Sequence, residues 1–172
     1  MSNDRHIVLI GPSGSGKSTL VKRLIEKNPS LVWIKTYTTR SKRSDEDDSH
    51  EFISEAAFQD LKDKNVFIGT LNAFDAQYGL PSLPEASRCI LLLRAPVIKL
   101  FKETYPKSIV IEVDAPLHIL KQRLSDRRSI DRIDDESLLQ EIKLGSTLAD
   151  AHVDTSQSID DCTRQLMDLV HG

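Results

Sequence analysis

The apolar run Ile7-Val8-Leu9-Ile10 leads straight into Gly11-Pro12-Ser13-Gly14-Ser15-Gly16-Lys17-Ser18-Thr19. From Gly11 to Ser18 the spacing is G-x-x-x-x-G-K-[ST], and behind it Leu20, Val21, Leu24 and Ile25 recur at helical spacing. A buried strand, a tight loop and a helix must therefore follow one another, which constrains the fold more than any other feature of the chain. Glycines let successive backbone amides converge on phosphate oxygens, and the following helix points its positive end at the same place. Lys17 suits the β- and γ-phosphates, and Ser18 can offer its hydroxyl to magnesium. The stretch from Gly11 to Thr19 is thus expected to bind a nucleoside triphosphate.

Strand and helix patterns alternate along the remainder. Leu31 to Tyr37 reads as a second strand, and Ser54 can cap a helix through Lys64 with Ala57, Phe58 and Leu61 on its inner face. Val66–Leu71 and Ala73–Tyr78 read as a strand pair, and Cys89 to Leu93 as a central strand covered on both faces. Pro96 opens a helix through Thr104, Ser108 to Val113 is a buried strand, and Pro116 opens a helix to about Arg127. Residues 134–150 are helical in pattern, His152 to Thr155 is a short strand, and Ser158 to Val170 the closing helix. Such alternation predicts an α/β fold: a phosphate-loop, three-layer domain with a mostly parallel central sheet. All 172 residues are expected to form a single domain, with a core of about 1–34, 83–125 and 146–172. Two charge-rich stretches, about 35–82 and about 126–145, stand outside this core as insertions for an acceptor-binding region and a lid.

Composition narrows the classes of partner. A net charge of −3 without a basic run argues against a nucleic-acid or lipid-surface partner. No apolar stretch reaches the length of a membrane span, and the first strand begins too early for a signal peptide, so a cytosolic location is expected. The two cysteines, Cys89 and Cys162, fall in apolar or helical patterns and read as buried free thiols.

A triphosphate loop alone also fits a GTPase or a motor, but no N-K-x-D stretch is present to read guanine in a GTPase manner. The polar insertions suit a small kinase, which must clamp a second substrate and exclude water. Arg40, Lys42 and Arg43 follow the second strand; guanidinium groups at this spacing can grip a phosphate, although a solvated basic loop has the same pattern. Arg123, Arg127, Arg128 and Arg132 form a second cluster at a helix end, either as partners of the helix dipole or as a lid closing on phosphates.

With the loop, these segments resemble guanylate kinases: Thr38-Thr39-Arg40-Ser41-Lys42-Arg43, Ser49-His50-Glu51-Phe52 through Phe58, Tyr78-Gly79, and Arg123-Leu124 to Arg127. The resemblance covers nearly the whole chain. It implies that Arg40, Arg43 and Tyr78 hold an acceptor phosphate, that Thr36 lines the acceptor site, and that Arg127 is a lid arginine, with Arg128 or Arg132 as a second. It also implies ATP as donor, with magnesium.

Departures from the pattern bear on the acceptor. His50 stands where those kinases carry an aromatic or hydroxyl residue, Gly69 replaces the glutamate that reads guanine, and Leu91-Leu92-Leu93-Arg94 replaces L-D-I-D. A site built to pair guanine's N–H donors loses heavily when the acceptor group is missing. His50, the Arg94-Ala95 pair and Thr104-Tyr105-Pro106 look similar to the ribose 1,5-bisphosphate phosphokinase branch, where Arg94 would meet extra negative charge. The sequence therefore leads to an expected kinase passing a phosphoryl group from ATP to a small phosphorylated acceptor. A ribose 1,5-bisphosphate-like acceptor is favoured over GMP, and a catalytically silent nucleotide-binding module is the rival. Magnesium is expected to rely on Ser18, the phosphates and water; Asp75 or Asp45 to Asp48 could assist or form a solvated acidic loop.

Overall fold

The computed structural model describes residues 5–42, 49–73, 75–126 and 135–171. Five strands form the larger sheet: β1 (Ile7–Ile10), β2 (Val32–Ile34), β7 (Cys89–Leu92), β8 (Ile109–Asp114) and β9 (Ala151–Asp154). Their order is β2-β7-β1-β8-β9 and every pairing is parallel. The four-stranded sheet, ordered β4-β3-β6-β5, comprises β3 (Thr36–Thr38), β4 (His50–Phe52), β5 (Phe67–Ala73) and β6 (Ala76–Pro81). Here β3 runs parallel to β4, while β6 is antiparallel to both β3 and β5.

Helices cover both faces of the larger sheet. On one face α1 (Lys17–Lys27) and α6 (Ile159–His171) pack Leu20, Val21, Leu24, Cys162, Leu166 and Val170 against Ile7, Leu9 and Ile111. On the other, α3 (Ile98–Thr104) brings Ile98 and Phe101 onto Val8, Ile10, Cys89 and Val110, joined by Leu148 from α5 (Asp135–Leu148). Strands sandwiched in this way carry aliphatic side chains on both faces, which is why β1 and β7 have no hydrophobic–polar alternation. The remaining helices are α2 (Glu55–Asp63) and α4 (Leu117–Asp126). Among the described residues no helix is long and apolar enough to cross a membrane.

Expected and observed elements differ in instructive ways. The run from Leu31 to Tyr37 is not one strand: Trp33 pairs with Ile90 in the larger sheet, then the chain steps across at Lys35 and Thr36 pairs with His50 in the smaller one. Pro96 lies in a short 3-10 turn, Ala95–Val97, ahead of α3 rather than in the helix itself. Ser54 does cap α2, its hydroxyl accepting from the Ala57 amide at 3.2 Å. Both cysteines are free and buried, Cys162 on the α1–α6 face and Cys89 on the α3 face.

Glu112 breaks the apolar pattern of β8. It is 3% exposed, with Oε2 3.4 Å from His152 Nδ1 and Oε1 without a hydrogen-bond partner among the described residues. The α5 helix crosses above it at Gly145, where any Cβ would overlap the carboxylate.

Candidate active site

At the end of β1 the backbone turns through Gly11, Gly14 and Gly16, at φ of 138°, 82° and 92°. Only glycine adopts such angles without strain, and a Cβ on Gly11 would overlap the Val113 carbonyl of the neighbouring strand. The loop is thus pressed onto the end of β8. Ser15 at its centre is fully buried, and its amide donates to the Pro12 carbonyl at 3.3 Å. Gly16 precedes α1 in a left-handed conformation with no side-chain cap. First-turn amides of a helix that starts this way can face an anion. Lys17 Nζ donates to the carbonyls of Gly11 and Pro12, both at 2.8 Å, so its charge lies across the mouth of the loop.

Support comes from distant segments. Arg123, near the end of α4, donates to the Gly14 carbonyl at 3.3 Å and to Thr155 Oγ1 at 2.9 Å. Thr155, just beyond β9, donates its hydroxyl to the Ser15 carbonyl at 2.8 Å. The sequence groups Arg123 with the lid arginines; its described contacts are instead with the loop and the β9 turn. Sequence reasoning misses Thr155 as a site residue, although its place at the end of an expected strand, at the carboxyl edge of a parallel sheet, is where ligands of such folds bind. Asp114 ends β8 beside the loop; burial pushes its carboxyl above the ordinary aspartate range, while the Ala115 amide and the charges of His152 and Lys17 pull it back.

A cavity lies between the two sheets and is lined by residues of both. Its lining is mostly apolar, with the leucines Leu71, Leu80, Leu92 and Leu93, and Thr36, His50, Tyr78 and Arg94 also border it. The parallel pairing of β3 and β4 sets Thr36 opposite His50, and Thr36 Oγ1 lies 2.7 Å from His50 Nδ1 in a hydrogen bond. The Tyr78 ring meets that of His50 edge-on at 6.0 Å. Arg94 donates to Glu141 of α5 at 3.0 Å.

The other residues singled out from sequence lie as follows. Arg40 leaves β3 with its guanidinium 5.3 Å above the Phe52 ring and is not among the residues that line the cavity. Gly69 is also outside the lining; a Cβ there would run into Leu100 of α3, so this position has no room for a longer side chain without displacing that leucine. Arg43, Asp45 to Asp48, Arg127, Arg128 and Arg132 lie outside the described residues. Magnesium at the loop would be held by the Ser18 hydroxyl, a hard oxygen ligand; no group of three or more His, Cys, Asp or Glu residues able to hold a metal occurs among the described residues. That suits an ion carried in largely by phosphates and water.

Comparison with known proteins bears on the family and the fold. A family model described as guanylate kinase matches residues 3–129. The chain is 32% identical over 130 residues to the guanylate kinase of Clostridioides difficile (strain 630), covering 70% of this chain and 63% of that one. It is 31% identical over 140 residues to the human guanylate kinase, covering 75% and 71%. A crystal structure of guanylate kinase from Anaplasma phagocytophilum superposes with a TM-score of 0.74 at 19% identity, over 97% of this chain and 84% of that one. The matches span under two-thirds of the length of some relatives, 63% and 64% for those of Clostridioides difficile and Carboxydothermus hydrogenoformans. By the family model and by these relatives, the chain belongs to the guanylate kinase family.

Proposed function

We propose that this chain is a cytosolic phosphotransferase that moves the terminal phosphoryl group of ATP onto a nucleoside monophosphate, with GMP the acceptor to which the names of its relatives point. One observation carries the reading: a glycine loop with uncapped helix amides and Lys17 across its mouth, in a fold that also has a cavity bordered by Thr36, His50, Tyr78 and Arg94. The loop from Gly11 to Thr19 would hold the donor phosphates, and Lys17 would reach the β- and γ-phosphates from the mouth of the loop. The first-turn amides of α1 and the Lys17 ammonium would then neutralise charge as it spreads over the phosphoryl group in flight. Ser18 would hold magnesium, which supplies further charge neutralisation when bound.

Residues about 35–82 would form the acceptor region, with Thr36, His50 and Tyr78 on the acceptor's phosphate side and Arg40 and Arg43 reaching it from the end of β3. Residues about 126–145 would form the lid, with Arg127 and either Arg128 or Arg132 completing the cationic shell and excluding water. No general base is required, because the acceptor oxygen is already an anion.

A second reading, a ribose 1,5-bisphosphate-like acceptor, rests on the cavity lining. It has leucines and Arg94 but, among the described residues, no carboxylate to pair with guanine N–H groups. Transfer of labelled γ-phosphate from ATP into GMP, other nucleoside monophosphates and ribose 1,5-bisphosphate separates the possibilities. Turnover of GMP is the expected result; product from ribose 1,5-bisphosphate alone would replace the acceptor. ATP binding with no product from any acceptor would make the chain a silent nucleotide-binding module.

A further inference from the structure

We infer that Thr155 is a positioning residue of the donor site: its hydroxyl locks the phosphate loop in the conformation that presents amides to phosphate. A loop whose N–H groups face a ligand must turn its carbonyls the other way, and each buried carbonyl then needs a donor of its own. The carbonyls of Gly11 and Pro12 are met by Lys17 from within the motif. Those of Gly14 and Ser15 are met from outside it, by Arg123 at 3.3 Å and by Thr155 Oγ1 at 2.8 Å.

Thr155 is the hub of that outside support. It is 6% exposed, and its hydroxyl also lies 3.0 Å from the Asp114 carbonyl, so its one proton is shared between the loop and the end of β8. The Thr155 amide donates to the same Asp114 carbonyl at 2.8 Å, which fixes the residue independently of its side chain. Arg123 then clasps it from the far side, donating to its hydroxyl at 2.9 Å and its carbonyl at 2.6 Å. The methyl group points under the loop, 3.9 Å from where a Cβ on Gly16 would stand. One small side chain thus ties together the loop, β8, α4 and the turn into α6. Losing its hydroxyl leaves the Ser15 carbonyl buried without its donor, and that carbonyl regains a partner only by rotating the peptide that should face phosphate.

The inference rests on reading the loop as a triphosphate site, and two substitutions test it. Thr155→Val keeps the shape and removes the hydroxyl, while Thr155→Ser keeps the hydroxyl and removes the methyl. Affinity is measured by calorimetry, well below the melting temperature, for ATP and for tripolyphosphate, which has phosphates but neither sugar nor base. Thr155→Val is expected to weaken both ligands by about ten- to a hundred-fold, the cost of one buried unpaired carbonyl, while Thr155→Ser stays within about threefold of the parent. Arg123→Lys, which keeps the charge but loses the planar fork, is expected to weaken tripolyphosphate as well. It also provides the test if the valine variant does not fold.

Unchanged tripolyphosphate affinity in folded Thr155→Val would overturn the inference, even if its melting temperature fell, because a purely structural threonine predicts that result. A loss for ATP alone would also overturn it, by assigning the residue to the sugar or base. Failure of the parent chain to bind either ligand would instead sink the triphosphate reading itself.

Discussion

Glu112 occupies a position on β8 where a strand buried in a parallel sheet ordinarily carries an aliphatic side chain, and it remains 3% exposed. Burial pushes its carboxyl above the ordinary glutamate value of 4.5; repulsion from Asp114 adds to this, while His152 and Ser146 oppose it. A carboxyl whose pKa rises on folding binds its proton more tightly in the native state, so folding is favoured while the group is protonated. That contribution is complete below the unfolded value and is lost as pH climbs through the raised native one. Glu112→Gln should therefore raise the urea midpoint at neutral pH and flatten its decline above about pH 4.5, with little effect in more acid solution. An unchanged pH slope in the variant would show that the carboxyl is equally solvated folded and unfolded.

At the scale of elements, the smaller sheet depends on one close approach between β5 and β6. A Cβ on Gly79 would come within 2.7 Å of the Phe67 ring, which packs on Phe58 at 4.9 Å between centroids. Because both strands also contribute to the cavity, Gly79→Ala should cost about 1–3 kcal/mol of stability and raise the acceptor KM while sparing the ATP KM. Equal losses for both substrates would mean the disturbance spreads into the phosphate loop.

Legibility in the sequence follows the reach of each interaction. The loop, α1, and the apolar runs of β1, β7 and β8 are specified by neighbours along the chain, and the sequence states them plainly. The Ser54 cap of α2 is equally visible, because cap and partner are three residues apart. The step from β2 to β3 at Lys35 is not, since it depends on which distant strands, β7 and β4, stand on either side. Arg123 is legible as a cation but not as a partner of Gly14 and Thr155, which are remote in sequence. Thr36 and His50 each stand out through the family resemblance. Their mutual hydrogen bond does not, because it requires β3 and β4 to pair in parallel.

For the molecule as a whole, ligand binding and folding are linked, because the donor site joins β1, β8, β9, α1 and α4. Anything that binds only the folded chain stabilises all of it, by about 2.7 kcal/mol at a hundred times its dissociation constant. For a domain of this size that corresponds to a rise of about 5–10 °C in melting temperature on adding ATP with magnesium. Lys17→Ala should melt within a few degrees of the parent without ligand and lose most of that rise. A full ATP-induced rise in the variant would place the nucleotide somewhere other than the loop.

The two cysteines, one on each side of the larger sheet, give the chain a pair of built-in reporters. Burial pushes both thiols above the ordinary cysteine value, and for Cys162 the charges of Asp154 and Asp161 add to the effect. A disulfide reagent therefore attacks each one slowly, until the helices over its side lift away. Cys162 clocks the departure of α1 and α6, and Cys89 that of α3, so the same chain carries a separate stopwatch for each half of its interior.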